Sequence, residues 1–165
     1  MHRVPNDPRE PSRAVLRTHA RADGTLRETV ARRLAQQQQR MTAVRGQLVD
    51  ILDASDRPLT IPEVLDAGKG LAQSSVYRNL VVLEQVGVVH RVVTHDEFAR
   101  YELAEDLTGH HHHLVCSNCG RVEDLPASES IERSVEAAVA QAARKVGFRT
   151  SQHRLDLVGT CADCS

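Results

Sequence analysis

Two Cys-x-x-Cys pairs, Cys116-Ser-Asn-Cys119 and Cys161-Ala-Asp-Cys164, hold all four cysteines of this 165-residue chain. A knuckle of this spacing presents two thiolates to one metal, and two knuckles complete a closed tetrahedral zinc site with bonds of about 2.3 Å. Two redox dithiols, or four free thiols, are the alternative for the same residues. The zinc reading constrains the fold more, because it pins residues 161–164 onto the strand before Cys116 and turns metal-binding energy into folding energy. The N-terminus (MHRVPNDPRE) is charged and proline-bearing with no apolar stretch, so no secretory signal is visible and a reducing, cytoplasmic setting is expected. The longest aliphatic run, Leu80-Val81-Val82-Leu83, is far short of the roughly 20 residues a membrane span needs, so no membrane partner is expected.

Charge is unevenly spread. Residues 1–40 carry nine Arg against four Asp or Glu, whereas the rest carries twelve Lys or Arg against eighteen Asp or Glu. Residues 1–25 lack periodicity and read as a disordered basic arm, either a solvated tail or a contact to DNA phosphates. With only two Tyr, two Phe and no Trp, stacking of single-stranded bases on rings is disfavoured.

From residue 26 the pattern becomes helical. Leu26, Val30 and Leu34 recur every four residues, up to the glutamine run Gln36–Gln39. Thr42 is placed to cap a second helix carrying Val44, Leu48, Ile51 and Leu52 inward. Thr60-Ile-Pro-Glu63 is a capping box opening a short helix to about Ala67. Ser74 or Ser75 is expected to cap the next helix, with Val76, Leu80 and Leu83 on one face and a stop at Gly87. Val88–Thr94 and Phe98–Leu103, turned by His95-Asp96-Glu97, make a hairpin. This order is that of a winged helix-turn-helix over residues 26–104. Its last helix would enter the DNA major groove, with Tyr77, Arg78 and Asn79 exposed.

Residues 104–109 read as a loop, and residues 110–165 as a small α/β domain: strands at His110–Cys116, Arg121–Leu125 and Arg154–Gly159, and one long helix. That helix carries Ile131, Val135, Ala138, Val139, Ala142 and Val146 on one face. One helix on one small sheet cannot hide both faces, so a homodimer is expected. The fold class is α+β: an N-terminal winged helix-turn-helix followed by an α/β dimerisation domain.

His110-His-His-His113 directly precedes the first knuckle. Successive side chains of a strand point to opposite faces, so His111 and His113 share one face while His110 and His112 share the other. Four consecutive histidines become two pairs, each able to begin its own metal site; a solvated histidine patch is the alternative.

Taken together, Met41-Thr-x-x-Arg45, Ser74-Ser-Val-Tyr-Arg-Asn-Leu80, Arg100-Tyr-Glu102, His110-His-His-His-Leu-Val-Cys-x-x-Cys-Gly120, His153 and Gly159-x-Cys161-x-x-Cys164 resemble the ferric uptake regulator family. These are metal-sensing dimeric repressors, and the match covers residues 40–165. The resemblance implies that Ser74, Tyr77 and Arg78 lie on the DNA-reading helix, with Arg45 near the backbone. It implies a structural Zn2+ on Cys116, Cys119, Cys161 and Cys164. It also implies a sensor site using Glu102, His111 and His113, and a further site using His110, His112, Glu132 and His153. Iron- and peroxide-type members place a His where this chain has Pro58. His90 instead stands where several zinc-type members put a ligand, which makes it the expected fourth sensor residue. No Cys lies between Glu102 and His110, although zinc sensors often recruit one there. Peroxide-type members carry Asp at the position of Glu102.

The expected function is therefore a metal-dependent transcriptional repressor binding a palindromic double-stranded DNA operator as a homodimer. The corepressor expected at the sensor is a divalent metal, zinc in preference to ferrous iron or manganese. Iron-, manganese- or peroxide-sensing within the same family is the near alternative. A zinc store or chaperone would need no DNA-reading helix. A zinc enzyme finds no His-Glu-x-x-His motif here, and a four-cysteine site leaves no open position for water. No enzymatic activity is expected.

Overall fold

A computed structural model describes residues 23–94, 98–151 and 153–165. The basic arm expected over residues 1–25 lies outside the described residues up to residue 22, as does the hairpin turn His95-Asp96-Glu97.

The first unit is built from helices α1 (Asp23–Gln36), α2 (Ala43–Asp53), α3 (Ile61–Ala67) and α4 (Gln73–Gln85) with strands β1 (Leu59–Thr60), β2 (Val89–Val93) and β3 (Ala99–Leu103). The helical spacing read from the sequence is the spacing of the core. Val30, Leu34, Leu48, Val49, Val64, Val76, Leu80, Leu83 and Val88 are fully buried in one cluster. Each such side chain removed from water contributes on the order of 1.5–3 kcal/mol. The strands form an antiparallel sheet in the order β1-β3-β2, with Leu59 opposite Tyr101 and His90 opposite Glu102. Four helices backed by a β2–β3 wing give the winged-helix arrangement.

Local capping explains where the helices begin. The Thr42 hydroxyl accepts from Arg45 N at 3.3 Å. At Thr60 the box is reciprocal: its Oγ1 accepts from Glu63 N at 3.4 Å, and Glu63 Oε2 accepts from Thr60 N at 2.7 Å. The expected serine cap of α4 is not formed. Ala72 is the N-cap, without a side-chain bond, because Ser75 N already donates to Ala72 O and Asn79 Nδ2 donates to Ser75 O. Gly87, at φ +68, carries the chain from α4 into β2 through a left-handed conformation that glycine adopts without steric cost.

Residues expected as a loop after Leu103 instead contain a one-turn helix, α5 (Glu105–Thr108). Leu107 is the reason: it is only 4 % exposed and belongs to the same core as α1–α4, while Glu105 and Asp106 suit the positive end of the turn. The winged-helix unit thus runs through α5. Arg33, in the last turn of α1, pairs with Asp106 and also donates to Gly87 O.

The second unit holds β4 (His111–Cys116), β5 (Val122–Pro126), α6 (Glu129–Lys145) and β6 (Asp156–Gly159). Strand β4 is central, antiparallel to β5 and parallel to β6. The apolar face of α6 is only partly covered within one chain. Ala143 is its only buried residue, and Leu157 and Val158 of β6 are also exposed. Ile131, Val135 and Val139 are half-buried, while Ala138, Ala142 and Val146 of the same stripe are left exposed by the described residues.

The capping box yields a prediction. Burial raises the Glu63 carboxyl, but the hydrogen bonds from Arg57 and Thr60 outweigh it and hold it at about 2, below its ordinary 4.5. A depressed carboxylate contributes stability that is present above 4.5 and is lost as pH falls toward 2. Thr60→Ala is expected to cost about 1 kcal/mol at neutral pH and to flatten the acid limb of a stability–pH curve, measured by denaturant unfolding.

Candidate metal centres and DNA-reading helix

Strand β4 divides the histidines as alternation requires. His111 and His113 face one side with ring centroids 5.2 Å apart, and His110 packs against His112 on the other at 4.9 Å.

On the first side, Glu102 comes from the β3 wing strand. Its Oε2 accepts from His113 Nε2 at 3.0 Å and His111 Nε2 at 3.2 Å. Asp124 completes a group of Glu102, His111, His113 and Asp124 whose ligand atoms all lie within 4.8 Å of one another. Both rings are held from behind. His111 Nδ1 bonds Gly109 O at 3.0 Å, and His113 Nδ1 bonds Asp156 Oδ1 at 3.1 Å. Both Nε2 atoms therefore point inward, the ring orientation that metal-ligating histidines adopt once the Nε2 proton has left.

His90 does not join this group. It pairs with Glu102 across the wing but is exposed, and Asp124 occupies the place expected for it. Asp124 was legible only through register: it lies opposite His113 in the β4–β5 ladder and so shares its face.

On the opposite side, His110, His112, Glu132 and His153 form a second group within the same 4.8 Å limit, as the sequence suggested. Glu132 reaches His112 Nε2 at 2.7 Å, and His110 and His153 Nε2 at 3.2 Å each. His112 is fully buried, its Nε2 faces Glu132 and the centre of the group, and its Nδ1 has no hydrogen-bond partner among the described residues. Three imidazoles and a carboxylate are a donor set that suits a divalent cation.

Cys116, Cys119, Cys161 and Cys164 form a third group. Cys119 Sγ lies 3.7 Å from Cys161 Sγ, matching the roughly 3.8 Å edge of a tetrahedron with 2.3 Å zinc–sulfur bonds. Backbone N–H groups around Cys116 pull its thiol down to about 6, whereas hydrogen bonding from the neighbouring thiols pushes Cys164 up to about 12. Four sulfurs this close cannot all ionise without a cation between them, which is the environment Zn2+ requires.

On α4 the N-terminal half presents Ser74, Tyr77 and Arg78 to solvent, with Tyr77 49 % exposed. Two neighbours differ from expectation. Asn79 is half-buried: its Oδ1 accepts from Arg45 Nε at 3.0 Å. Arg45 is itself buried, its guanidinium also donating to Arg40 O and to Gln39 Oε1. It braces α4 against the α1–α2 connection rather than reaching outward.

The sequence profile of the ferric uptake regulator family matches residues 36–158. The chain belongs to this family. It is 30% identical over 132 residues to the peroxide operon regulator of Bacillus subtilis, covering 76% of this chain and 84% of that protein. The ferric uptake regulation protein of Neisseria meningitidis serogroup A is 30% identical over 130 residues, covering 76% and 85%. Among solved structures, the Helicobacter pylori ferric uptake regulator superposes with a TM-score of 0.69 at 24% identity, over 86% of this chain and 93% of that one. A zinc-bound manganese uptake regulator gives 0.59 at 28%, over 81% and 98%. Ferric uptake regulator family members are metal-responsive transcriptional regulators that bind DNA and act as dimers; they are not enzymes. The fold is that of the family, a DNA-binding domain followed by an α/β dimerisation domain. Among the described residues, no helix is long and apolar enough to cross a membrane.

The first centre makes a measurable prediction. The Glu102 hydrogen bond pulls His111 up from 6.5 to about 9, against the opposing effect of burial. Burial raises Glu102, but the two histidines hold it at about 2. In the metal-free protein His111 therefore carries a proton at pH 7.5, and that proton must leave when Nε2 takes a metal. Calorimetric titrations in two buffers of different ionisation enthalpy are expected to show at least one proton released per metal at this centre. Its apparent affinity should climb roughly tenfold per pH unit up to about pH 9.

Proposed function

We propose that this protein is a cytoplasmic repressor that binds a palindromic operator as a homodimer when divalent metal fills the site formed by Glu102, His111, His113 and Asp124. One observation carries the reading: Glu102 belongs to the wing of the DNA-binding unit, and its three partners belong to the sheet of the dimerisation unit. A cation shared by these four side chains ties the two units together more rigidly than the metal-free hydrogen bonds do. Fixing each head on a two-fold dimer selects one spacing of the two α4 helices, and DNA binding must tighten metal binding by the same factor. The H. pylori regulator is described as having three functional metal binding sites, and three donor groups occur here.

In the DNA complex, Tyr77 and Arg78 read base edges, Ser74 lies at the uncapped start of α4 near a phosphate, and Arg45 keeps α4 at its angle. The basic arm adds sequence-independent phosphate contacts. Cys116, Cys119, Cys161 and Cys164 hold a structural zinc, and His110, His112, Glu132 and His153 hold a further divalent ion.

Zinc is the proposed sensor metal, because four donors around one point make a complete tetrahedral shell. A second reading, ferrous iron or manganese, is favoured by Asp124: with it in place of His90 the shell has two carboxylate donors, which suit oxygen-preferring ions.

Titrating operator binding with buffered free zinc, ferrous iron and manganese decides between them. Zinc activation at the lowest physiological level supports the first reading; activation by iron or manganese, with zinc inactive below toxic levels, overturns it. Asp124→Ala and His111→Ala are expected to require at least tenfold more metal, whereas His90→Ala leaves the curve in place. Arg78→Ala should weaken specific binding by about 1–3 kcal/mol while metal binding is unchanged. Metal-independent operator binding by the protein retaining only its thiolate zinc would refute the proposal.

A further inference from the structure

Helix α5 carries adjacent carboxylates that reach opposite ways. Glu105 Oε2 lies 2.9 Å from His110 Nδ1, on the outer side of the second centre. Asp106 pairs with Arg33, which also donates to Gly87 O at the end of α4. Leu107 anchors the same turn in the core of the DNA-binding unit. Of the second centre's four residues, His112, Glu132 and His153 lie in the dimerisation unit, and His110, just before β4, meets the DNA-binding unit through Glu105.

We propose that Glu105 is a positioning residue of the second metal centre and that, through Asp106 and Arg33, it transmits filling of that centre to the C-terminal end of α4. The inference rests on the metalloregulator reading above.

The chemistry is that of a ring with two nitrogens. His110 Nε2 points at Glu132 and at His153 Nε2, 3.2 and 3.3 Å away, so it is the nitrogen available to a metal. The proton must then sit on Nδ1, and the Glu105 carboxylate selects that tautomer by accepting from it. A dication on Nε2 withdraws electron density from the ring and makes Nδ1–H a stronger donor, which shortens and stiffens the bond to Glu105. Glu105 is fixed to a four-residue turn whose next residue holds Arg33. Ordering one end of so short an element orders the other. By reciprocity, whatever steadies Arg33 and the end of α4 raises the affinity of the second centre for metal.

Three variants separate the links. Glu105→Ala removes the acceptor. Glu105→Gln keeps its size and an acceptor oxygen while removing its charge. Asp106→Asn leaves His110 untouched and loosens only the Arg33 side, an exposed pair whose loss costs the fold little. Cobalt(II) affinity of the second centre is measured in the full chain, with thiolate zinc loaded and with His111→Ala disabling the first centre. We expect Glu105→Ala to weaken it about tenfold or more, Glu105→Gln to recover part of the loss, and Asp106→Asn, by the reciprocity above, to weaken it by a smaller factor than Glu105→Ala. Hydrogen exchange is then followed with the first centre intact. Filling the second centre should slow exchange at residues 104–108 and 84–88. Glu105→Ala should abolish both effects, and Asp106→Asn only that at 84–88. Unchanged cobalt affinity in Glu105→Ala, or exchange at 84–88 that ignores the second metal in the parent chain, overturns the proposal. A parent chain that takes up no second metal at all would sink the second-centre assignment itself, an outcome distinguishable from either.

Discussion

A β-strand cannot move a side chain from one face to the other, and strand β4 turns that constraint into two candidate metal centres. Shifting its register by one residue would exchange His111 and His113 for His110 and His112 and leave both groups without their carboxylates. The ladder prevents this from both sides. Strand β5 fixes Asp124 opposite His113, and β6 brings Asp156 to the same residue in parallel. Everything functional in the second unit is referred to this one strand, which ends at Cys116 in the thiolate group.

The seam between the units is made of polar bonds rather than core. Glu102, His111 and His113 are all at least nine-tenths buried and satisfy one another through a single carboxylate oxygen. Buried charge of this kind adds little net stability against an apolar alternative, because desolvation offsets most of the attraction. It makes the seam responsive, since replacing protons by a dication changes the strength of the same contacts without repacking any apolar surface.

How much of this was legible in the sequence depends on the range of the interaction. Helix spacing, the Thr42 and Thr60 caps, the Gly87 stop and the histidine split follow from neighbours within a few residues, and the structure reproduces them. The thiolate group followed from ligand chemistry. What failed to show depended on register or packing between distant segments. Asp124 enters the first centre only once β5 is aligned on β4, and His90, although paired with Glu102, stays exposed. Asn79, placed outward by helical position, and Arg45, placed near DNA by the resemblance, are 34 residues apart and bond to each other. The α5 turn escaped notice because one buried leucine, rather than a periodic pattern, holds it.

His113 Nδ1 is anchored by Asp156, the first residue of β6, and β6 ends two residues before Cys161. The backbone around this junction is pinned at the same place, with Ser117 N donating to Gly159 O at 2.7 Å and Cys161 N to Cys116 Sγ at 3.4 Å. If the thiolate group holds a metal, as proposed, its loss would free the far end of β6 and, with it, the prop behind His113. The sites consequently have a rank. On the function proposed here, the thiolate group would have to hold its metal before the sensor reached full affinity, and a chain assembled under severe metal scarcity would stay deaf to metal until then.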